Sequence, residues 1–183
     1  MLEGKTVNLK VAEKEDVDFL VEYTNDIDYW GENIPIDEQR SKSEWLKQFD
    51  NPSNLDILLE SKTFIVQKKD GTKIGFTTHI VNQPYKVLDI GYSIVPSERG
   101  KGYGAEAVQL IVDYLFLSRN IGRIQATTIV ENKASQRVLE KVGFKREGTC
   151  RNSSFIRGTW TDCYLYSILR EEWKEPKILT KTS

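Results

Sequence analysis

A glycine-rich hexapeptide past the middle of the chain, residues 99–104 (RGKGYG), has the composition of a phosphate-binding turn. The apolar and β-branched residues 88–95 that precede it predict a strand. Apolar residues at i, i+3, i+4 and i+7 after it predict a helix over residues 104–118. A glycine-rich turn that feeds a helix directs several unpaired N–H groups and the positive end of the helix dipole to one point. The chemistry expected here is the binding of phosphate oxygens, assisted by the charges of Arg99 and Lys101.

Two well-known phosphate-binding motifs do not fit this hexapeptide. A Walker A loop has Ser or Thr after its Gly-Lys pair, whereas Lys101 is followed by Gly102. A dinucleotide-binding fingerprint has a different glycine spacing and lies in an early βαβ unit, with an acidic residue about 20 positions further on. A strand-helix turn that binds no ligand is the alternative for this segment when it is considered alone.

A second group of polar residues lies at the start of the next predicted helix, over residues 132–142. Asn132 has a side chain typical of an N-cap, and Ser135 falls in the first helical turn. A cap and a surface serine are the structural alternative. The strand predicted over residues 123–130 would run parallel to the strand at 88–95, and each strand feeds a helix. Ligands bind in the crevice at the carboxyl ends of such strands, so we expect the glycine turn and Asn132–Ser135 to line one crevice.

The composition narrows the class of protein. At 183 residues with 39% hydrophobic side chains, the chain has the length and composition of one globular domain. Its formal net charge of −1 argues against nucleic acid or an anionic membrane as the main partner. No apolar run is long enough to span a bilayer and no signal peptide is recognised, so we expect a cytoplasmic protein.

Histidine and cysteine usage excludes several kinds of catalytic site. His79 is the only histidine, which excludes a histidine-based metal centre and a Ser-His-Asp triad, and we expect no metal. Cys150 and Cys163 are the only cysteines, and we expect two reduced thiols rather than a disulfide.

The remaining elements follow from hydrophobic period and turn residues. The first half predicts antiparallel strands over residues 6–10, 63–68, 73–81 and 88–95, with a helix over residues 13–23 and a second helix capped by Ser41 or Ser43. Asp70-Gly71 predicts a hairpin turn, and Gly143 the residue after a helix end. Two closing strands are expected over residues 144–150 and 159–169, followed by a polar, frayed end over residues 174–183.

An acidic segment, residues 25–39, contains five Asp or Glu residues and no Lys or Arg. A solvated loop and a lip that attracts a cationic substrate are both compatible with this composition. Trp30 in the same segment has the chemistry to flank an organic cation, or it anchors the loop in the core.

Taken together, these motifs resemble the GNAT superfamily of N-acetyltransferases, most closely its RimJ/RimL-like branch of ribosomal-protein N-terminal acetyltransferases. The resemblance extends from residue 4 to Trp173. It is carried by residues 89–96 (DIGYSIVP), 99–107 (RGKGYGAEA), 131–144 (ENKASQRVLEKVGF), 146–148 (REG) and 171–173 (EEW), in this order.

The resemblance implies an α/β (α+β) fold: a central, mostly antiparallel twisted sheet, flanked by helices and splayed open between its fourth and fifth strands. It also implies one acetyltransferase domain over residues 1–173, followed by a polar C-terminal tail. Acetyl-CoA would bind in the gap. Both a monomer and a homodimer are compatible with the resemblance.

Roles for individual residues follow from motif position in the family. Ile94 and Val95 would pair with the pantetheine arm, and the Val95 N–H would also polarise the thioester carbonyl as an oxyanion hole. Asn132 would bind the pantetheine arm, and Ser135 would hydrogen-bond the sulfur and return a proton to the leaving thiolate. The residues that would hold the diphosphate, through backbone amides, are Arg99, Gly100, Lys101, Gly102, Tyr103 and Gly104; Ala105 is a further expected cofactor-binding residue.

The sequence does not identify the amine acceptor. The amine must be neutral to attack, and a base to deprotonate it is not identified by any motif. Asp89, Glu32 and Glu106 are candidates, directly or through water, and Trp30, Glu32 and Asp89 are the candidate substrate-binding residues. Each of these carboxylates also has a purely structural alternative.

Three functions remain as hypotheses. The first is acetylation of a protein or peptide N-terminal α-amine by direct attack on acetyl-CoA in a ternary complex. The second is acetylation of a small amine such as a polyamine, an aminosugar or an antibiotic. The third is a non-catalytic acyl-CoA-binding module, against which the intact Asn132 and Ser135 argue.

Overall fold

The computed structural model describes residues 1–26, 39–50, 62–82 and 87–179. The strands are β1 (Leu2–Glu3), β2 (Val7–Val11), β3 (Lys62–Lys68), β4 (Lys73–Asn82), β5 (Val87–Ile94), β6 (Arg123–Ile129), β7 (Lys145–Ile156) and β8 (Thr159–Leu169). The helices are α1 (Val17–Thr24), α2 (Lys42–Asp50), α3 (Tyr103–Ser118) and α4 (Lys133–Val142), with 3-10 turns at Lys14–Asp16 and Pro96–Glu98.

The strands form one sheet in the order β1-β2-β3-β4-β5-β6-β8-β7. Only β5 and β6 pair in parallel; the other neighbours are antiparallel. The predicted mixed α/β fold with a mostly antiparallel sheet is confirmed. The strands predicted as fourth and fifth are β5 and β6 here, because the short β1 precedes them.

The sheet opens between β5 and β6. The two strands are paired only at Leu88–Ile124 and Asp89–Gln125, near their starts. Beyond those pairs β5 stays bonded to β4, and β6 stays bonded to β8, so the two strands diverge. The expected splay is therefore present, and it widens toward the carboxyl end of both strands.

Helices pack on both faces of the sheet. The predicted apolar stripe of α3 is confirmed, because Val108, Ile111, Val112 and Leu115 are fully buried against the sheet. Burial of each such side chain contributes about 1.5–3 kcal/mol to folding. A smaller cluster around Ile65 packs against α1 and α2 on the other face. No helix among the described residues combines the length and apolarity needed to cross a bilayer.

Local turn chemistry agrees with the sequence at three positions. Ser41 forms a capping box with Glu44 at the start of α2, with N–O distances of 2.7 and 3.3 Å. Gly71 adopts a φ of +87° in the β3–β4 hairpin. Gly143 adopts a φ of +114° after α4, where its N–H and that of Phe144 donate to the Leu139 carbonyl.

The strand expected to end at Cys150 continues to Ile156. A register irregularity between Cys150 and Ser154 interrupts it, and Asn152 there has a φ of +48°. These polar residues look like a loop in the sequence, but they form a bulge that keeps the strand paired. Cys150 lies directly opposite Cys163 of β8, and both are free thiols.

The expectation that the chain frays after residue 173 is wrong for residues 174–179. The carboxylate of Asp113, fully buried on α3, accepts hydrogen bonds from the backbone N–H groups of Lys177 (3.0 Å) and Ile178 (2.9 Å). It also accepts one from Trp173 Nε1 at 2.8 Å. A buried carboxylate needs such donors, and this segment supplies them while Ile178 and Leu179 pack on the core.

Candidate active site

A cleft of about 460 Å³ opens between the end of β5, the glycine-rich turn and α4. It brings the two polar groups found in the sequence to one place, as expected. The predicted residues that line it are Ile94, Arg99, Gly100, Gly102, Tyr103, Gly104, Ala105, Asn132 and Ser135.

The glycine-rich turn owes its shape to backbone conformation. Gly100 and Gly102 have φ values of +78° and +89°, in the left-handed region that residues with a side chain rarely adopt. A Cβ on either residue would meet no atom within 4 Å, so steric crowding is not the reason for glycine there. Gly102 is the N-cap of α3, and the first N–H groups of a helix have no intrahelical partner. The turn thus presents backbone donors to the cleft.

Gly104 forms the narrow part of the cleft. A Cβ at this position would lie 3.6 Å from Ile94 Cγ1 and 3.9 Å from both Tyr92 Cε2 and Val138 Cγ2. These are ordinary contact distances, and they show that β5, α3 and α4 approach closely here. Backbone donors at the glycine-rich turn and the open edge of β5 suit an extended, anionic ligand such as acetyl-CoA.

The two cations predicted to assist the turn behave differently. Arg99 lines the cleft, and its Nε donates to the Ile94 carbonyl at 2.8 Å. Lys101 does not line the cleft, because its Nζ donates to Glu98 at 2.8 Å. Hydrogen bonding from Lys101 lowers the pKa of Glu98 despite the opposing effect of burial. The Lys101 side chain is half-exposed in this ion pair, and its contact with a bound anion stays a prediction.

The backbone N–H expected to act as an oxyanion hole already donates a hydrogen bond within the protein. The Val95 N–H donates to the Ile74 carbonyl of the hairpin at 2.8 Å, and Val95 does not line the cleft. In an antiparallel pair, the neighbouring residue directs its N–H and C=O to the opposite side of the strand. Ile94, opposite Gly75, therefore directs its N–H toward the gap. The Val95 N–H is therefore not available at the gap, and only the register decides which amides are free.

The start of α4 carries two of the predicted groups. The Oδ1 atom of Asn132 accepts the Ser135 N–H at 3.0 Å, so the predicted N-cap is confirmed. The Nδ2 group of Asn132 still has two protons to donate. The Ser135 Oγ lies 2.9 Å from the hydroxyl oxygen of Tyr92, which lies on β5 across the cleft. Burial raises the pKa of Tyr92 to about 12, although the hydrogen bond with Ser135 opposes the shift.

Three functional candidates in the cleft were missed by the sequence analysis. Tyr92 lies two residues before Ile94 on the same face of β5, a period-2 signal that was available. Arg137 and Lys141 share one face of α4 at i, i+4 spacing and line the same cleft. Both are exposed, and neither has a charged partner among the described residues.

The candidate bases and substrate residues are not gathered in the cleft. Asp89 lies where β5 and β6 begin to diverge, on the face of β5 opposite to Tyr92. Glu106 accepts hydrogen bonds from Thr6 and Val7, which lower its pKa although burial raises it. Glu106 therefore ties α3 to the start of β2, in agreement with the structural alternative given for it. Trp30 and Glu32 lie outside the described residues.

Two further observations concern the single histidine and metal binding. His79 is fully buried beside Phe64 and does not line the cleft. Across residues 1–26, 39–50, 62–82 and 87–179, no cluster of His, Cys, Asp and Glu has the geometry to hold a metal ion. The polar groups of the cleft are hydroxyls, amides and cations, with Glu98 as the one carboxylate among the described lining residues.

Known proteins with related sequences support the same chemistry. Residues 7–145 match the acetyltransferase (GNAT) domain. The N-acetyltransferase p20 of Bacillus licheniformis, itself uncharacterised, is 32% identical over 171 residues, covering 91% of this chain and 94% of the relative. The ribosomal protein uS5-alanine N-acetyltransferase of Escherichia coli is 30% identical over 110 residues, covering 60% of this chain and 57% of that enzyme.

Solved structures with the same architecture include two acetyltransferases. The ribosomal-protein-S5-alanine acetyltransferase from Vibrio fischeri superposes with a TM-score of 0.77 at 26% identity, covering 94% of this chain and 97% of that one. The spermidine N-acetyltransferase from Vibrio cholerae, solved with CoA and spermine, gives 0.79 at 23% identity, covering 92% and 98%. The glycine turn, the opening between β5 and β6 and these matches together show that the chain belongs to the GNAT family, as an N-acetyltransferase that uses acetyl-CoA.

Proposed function

We propose that this enzyme acetylates the N-terminal α-amine of a protein or peptide, by direct attack of the amine on acetyl-CoA in a ternary complex. The observation that carries the proposal is the absence of a base at the Tyr92–Ser135 end of the cleft, within the part of the chain that the structure describes. Glu98 lines the other end and is paired with Lys101 and Lys68.

The need for a base depends strongly on the acceptor. An α-amine with a pKa of about 8 is about 10% neutral at pH 7, whereas an alkyl amine with a pKa of about 10.4 is about 0.04% neutral. An α-amine therefore needs little help before it attacks. A polyamine or a lysine side chain would gain about 200-fold more from a base, which the described lining residues do not supply.

Within the cleft we assign the diphosphate of acetyl-CoA to the backbone N–H groups of Gly100, Gly102 and Gly104, with Arg99 alongside. Backbone donors at a helix N-terminus bind anions without a net positive charge on the chain. Arg137 and Lys141 are free to contact the remaining phosphate group, on the ribose of the nucleotide.

The acetyl end is assigned to the groups nearest the gap. The Ile94 N–H is placed to polarise the thioester oxygen, in the role first expected of Val95. The Asn132 amide donates to the pantetheine arm, and the Ser135 hydroxyl donates to the sulfur as it leaves. Asp89, on the opposite face of β5, does not line the cleft.

The relatives are consistent with a protein N-terminus as acceptor. The uS5-alanine N-acetyltransferase of Escherichia coli, named for a protein acceptor, shares 30% identity over 110 residues. The spermidine enzyme is similar in fold at 23% identity, so a small amine is retained as the alternative acceptor.

The test is release of thiol from acetyl-CoA with three matched acceptors. The first is a short peptide with a free N-terminal alanine or serine; the second is the same peptide acetylated at its N-terminus but containing a lysine; the third is spermidine. We expect turnover with the free α-amine alone. Turnover with spermidine and with neither peptide would reject the proposal and favour the small-amine alternative.

A further inference from the structure

We propose that Tyr92 is a positioning residue for Ser135, holding the serine hydroxyl so that its proton is directed into the cleft toward the leaving sulfur. The inference rests on the function proposed above, in which Ser135 donates to that sulfur. It concerns a residue that no motif of the sequence singled out.

The two hydroxyls connect the two sides of the gap. Tyr92 lies on β5 and Ser135 lies on α4, 43 positions later in the chain. Their oxygens are 2.9 Å apart, and the Tyr92 oxygen is also 3.2 Å from the Ser135 carbonyl oxygen. This hydrogen bond joins the strand that would carry the thioester to the helix that would carry the hydrogen-bond donor to its sulfur.

The direction of the hydrogen bond decides what Ser135 can do. If Ser135 donates to Tyr92, its proton is held on the tyrosine and the sulfur receives none. If Tyr92 donates to the Ser135 Oγ, the serine proton is free to point into the cleft. Tyr92 can adopt this second arrangement by rotation of its O–H alone, because the Ser135 carbonyl and Oγ are both within reach.

The tyrosine orients the serine and does not itself become the acid. The pKa of Tyr92 is about 12, because the ring is buried in the cleft wall. A thiol has a pKa of about 8.5, so a thiolate does not take a proton from this phenol. Tyr92 therefore remains a neutral donor over the whole physiological pH range.

The proton balance of the reaction agrees with this role. The N–C bond forms and the C–S bond breaks, so nitrogen loses one proton and sulfur gains one. The Ser135 hydroxyl stabilises the thiolate by hydrogen bonding while that proton is transferred, and neither hydroxyl is consumed. Holding the serine in one rotamer lowers the entropic cost of forming this contact.

The test is a double-mutant cycle of Tyr92→Phe and Ser135→Ala. Tyr92→Phe keeps the ring and removes the hydroxyl. We expect it to lower kcat about tenfold, and Ser135→Ala to lower kcat by about 10- to 1000-fold. The affinity for CoA, measured by calorimetry, should stay within about twofold of wild type in both. In the Ser135→Ala background, adding Tyr92→Phe should lower kcat by less than about twofold, because there is then no hydroxyl to position.

Tyr166→Phe is the matched control. Tyr166 is also buried with a pKa of about 12, but its hydroxyl donates to Glu140 at 2.9 Å and it does not line the cleft. We expect this variant to lose thermal stability while kcat is unchanged. If Tyr92 had only a structural role, Tyr92→Phe would likewise lower thermal stability and leave kcat unchanged.

Three results would overturn the inference. They are an unchanged kcat in Tyr92→Phe, a loss of the same size in both backgrounds, or a change confined to CoA affinity. Full activity of Ser135→Ala would instead show that the leaving sulfur needs no hydrogen bond from Ser135, and would overturn the inference as well. The cycle is measured with whichever acceptor the wild-type enzyme turns over, so a different acceptor changes the proposed function without affecting this test.

Discussion

Replacing Gly102 by alanine should weaken CoA binding, whereas the same substitution at Gly71 should cost similar stability and leave CoA binding unchanged. Gly102 has a φ of +89°, and Gly71 in the β3–β4 hairpin has a φ of +87°. A Cβ on either residue would contact no other atom, so the two alanine substitutions impose the same backbone strain at different places in the fold. Gly71→Ala is therefore a matched control for Gly102→Ala.

The stability cost should be the same in both variants. A left-handed alanine costs about 1–2 kcal/mol relative to its preferred conformation. In a domain of this size that corresponds to a fall in Tm of about 2–8 °C. Differential scanning fluorimetry of both variants measures this directly.

The affinity for CoA should distinguish Gly102→Ala from Gly71→Ala. Relaxation of residue 102 to a negative φ would turn the N–H groups at the start of α3 away from the diphosphate. A hydrogen bond to a charged group contributes about 1.5–3 kcal/mol, so loss of one such contact lowers affinity by about 10- to 150-fold. Isothermal calorimetry with CoA should therefore show this loss for Gly102→Ala and none for Gly71→Ala. Equal affinities in the two variants would refute the assignment of the glycine turn to the diphosphate.

Two further predictions concern charged side chains. Arg137→Gln should lower the affinity for CoA about 2- to 10-fold, with little effect on the affinity for dephospho-CoA. Arg151→Gln, on the exposed β7, should change neither affinity. Equal losses for both ligands in Arg137→Gln would contradict a contact with the ribose phosphate. Hydrogen bonds from Arg123 and Ser167 lower the pKa of Glu147 from its ordinary 4.5 to about 2, so its stabilising contribution is present above pH 4.5 and is lost as the pH falls toward 2. In urea titrations, the unfolding free energy of Glu147→Gln should fall less steeply than that of wild type over this range, and an equally steep fall would contradict the ion pair with Arg123.

Much of the fold was predictable because its signals are local. The apolar stripe of α3 repeats within one helix, and the turns at Gly71 and Gly143 require a left-handed backbone that glycine adopts most easily. The capping role of Asn132 likewise depends on residues three positions apart. The splay between β5 and β6 was expected from the resemblance, and the strand register confirms it.

The errors arise where distant residues meet. The Val95 N–H was assigned to the gap, but its direction depends on the pairing of β5 with β4, which places it on Ile74. The chain end was expected to fray, but a buried carboxylate of α3, Asp113, supplies an acceptor for its backbone N–H groups.

By itself, the sequence determined the order of the main elements, the glycine-rich turn that begins α3 and the presence of Asn132 and Ser135 at the start of one helix. Only the tertiary structure decided which backbone amide faces the gap and that Tyr92 meets Ser135 across it. The physical reason is that turn chemistry and hydrophobic period act over a few neighbouring residues. Strand register and contacts across the cleft, in contrast, depend on how the whole core packs.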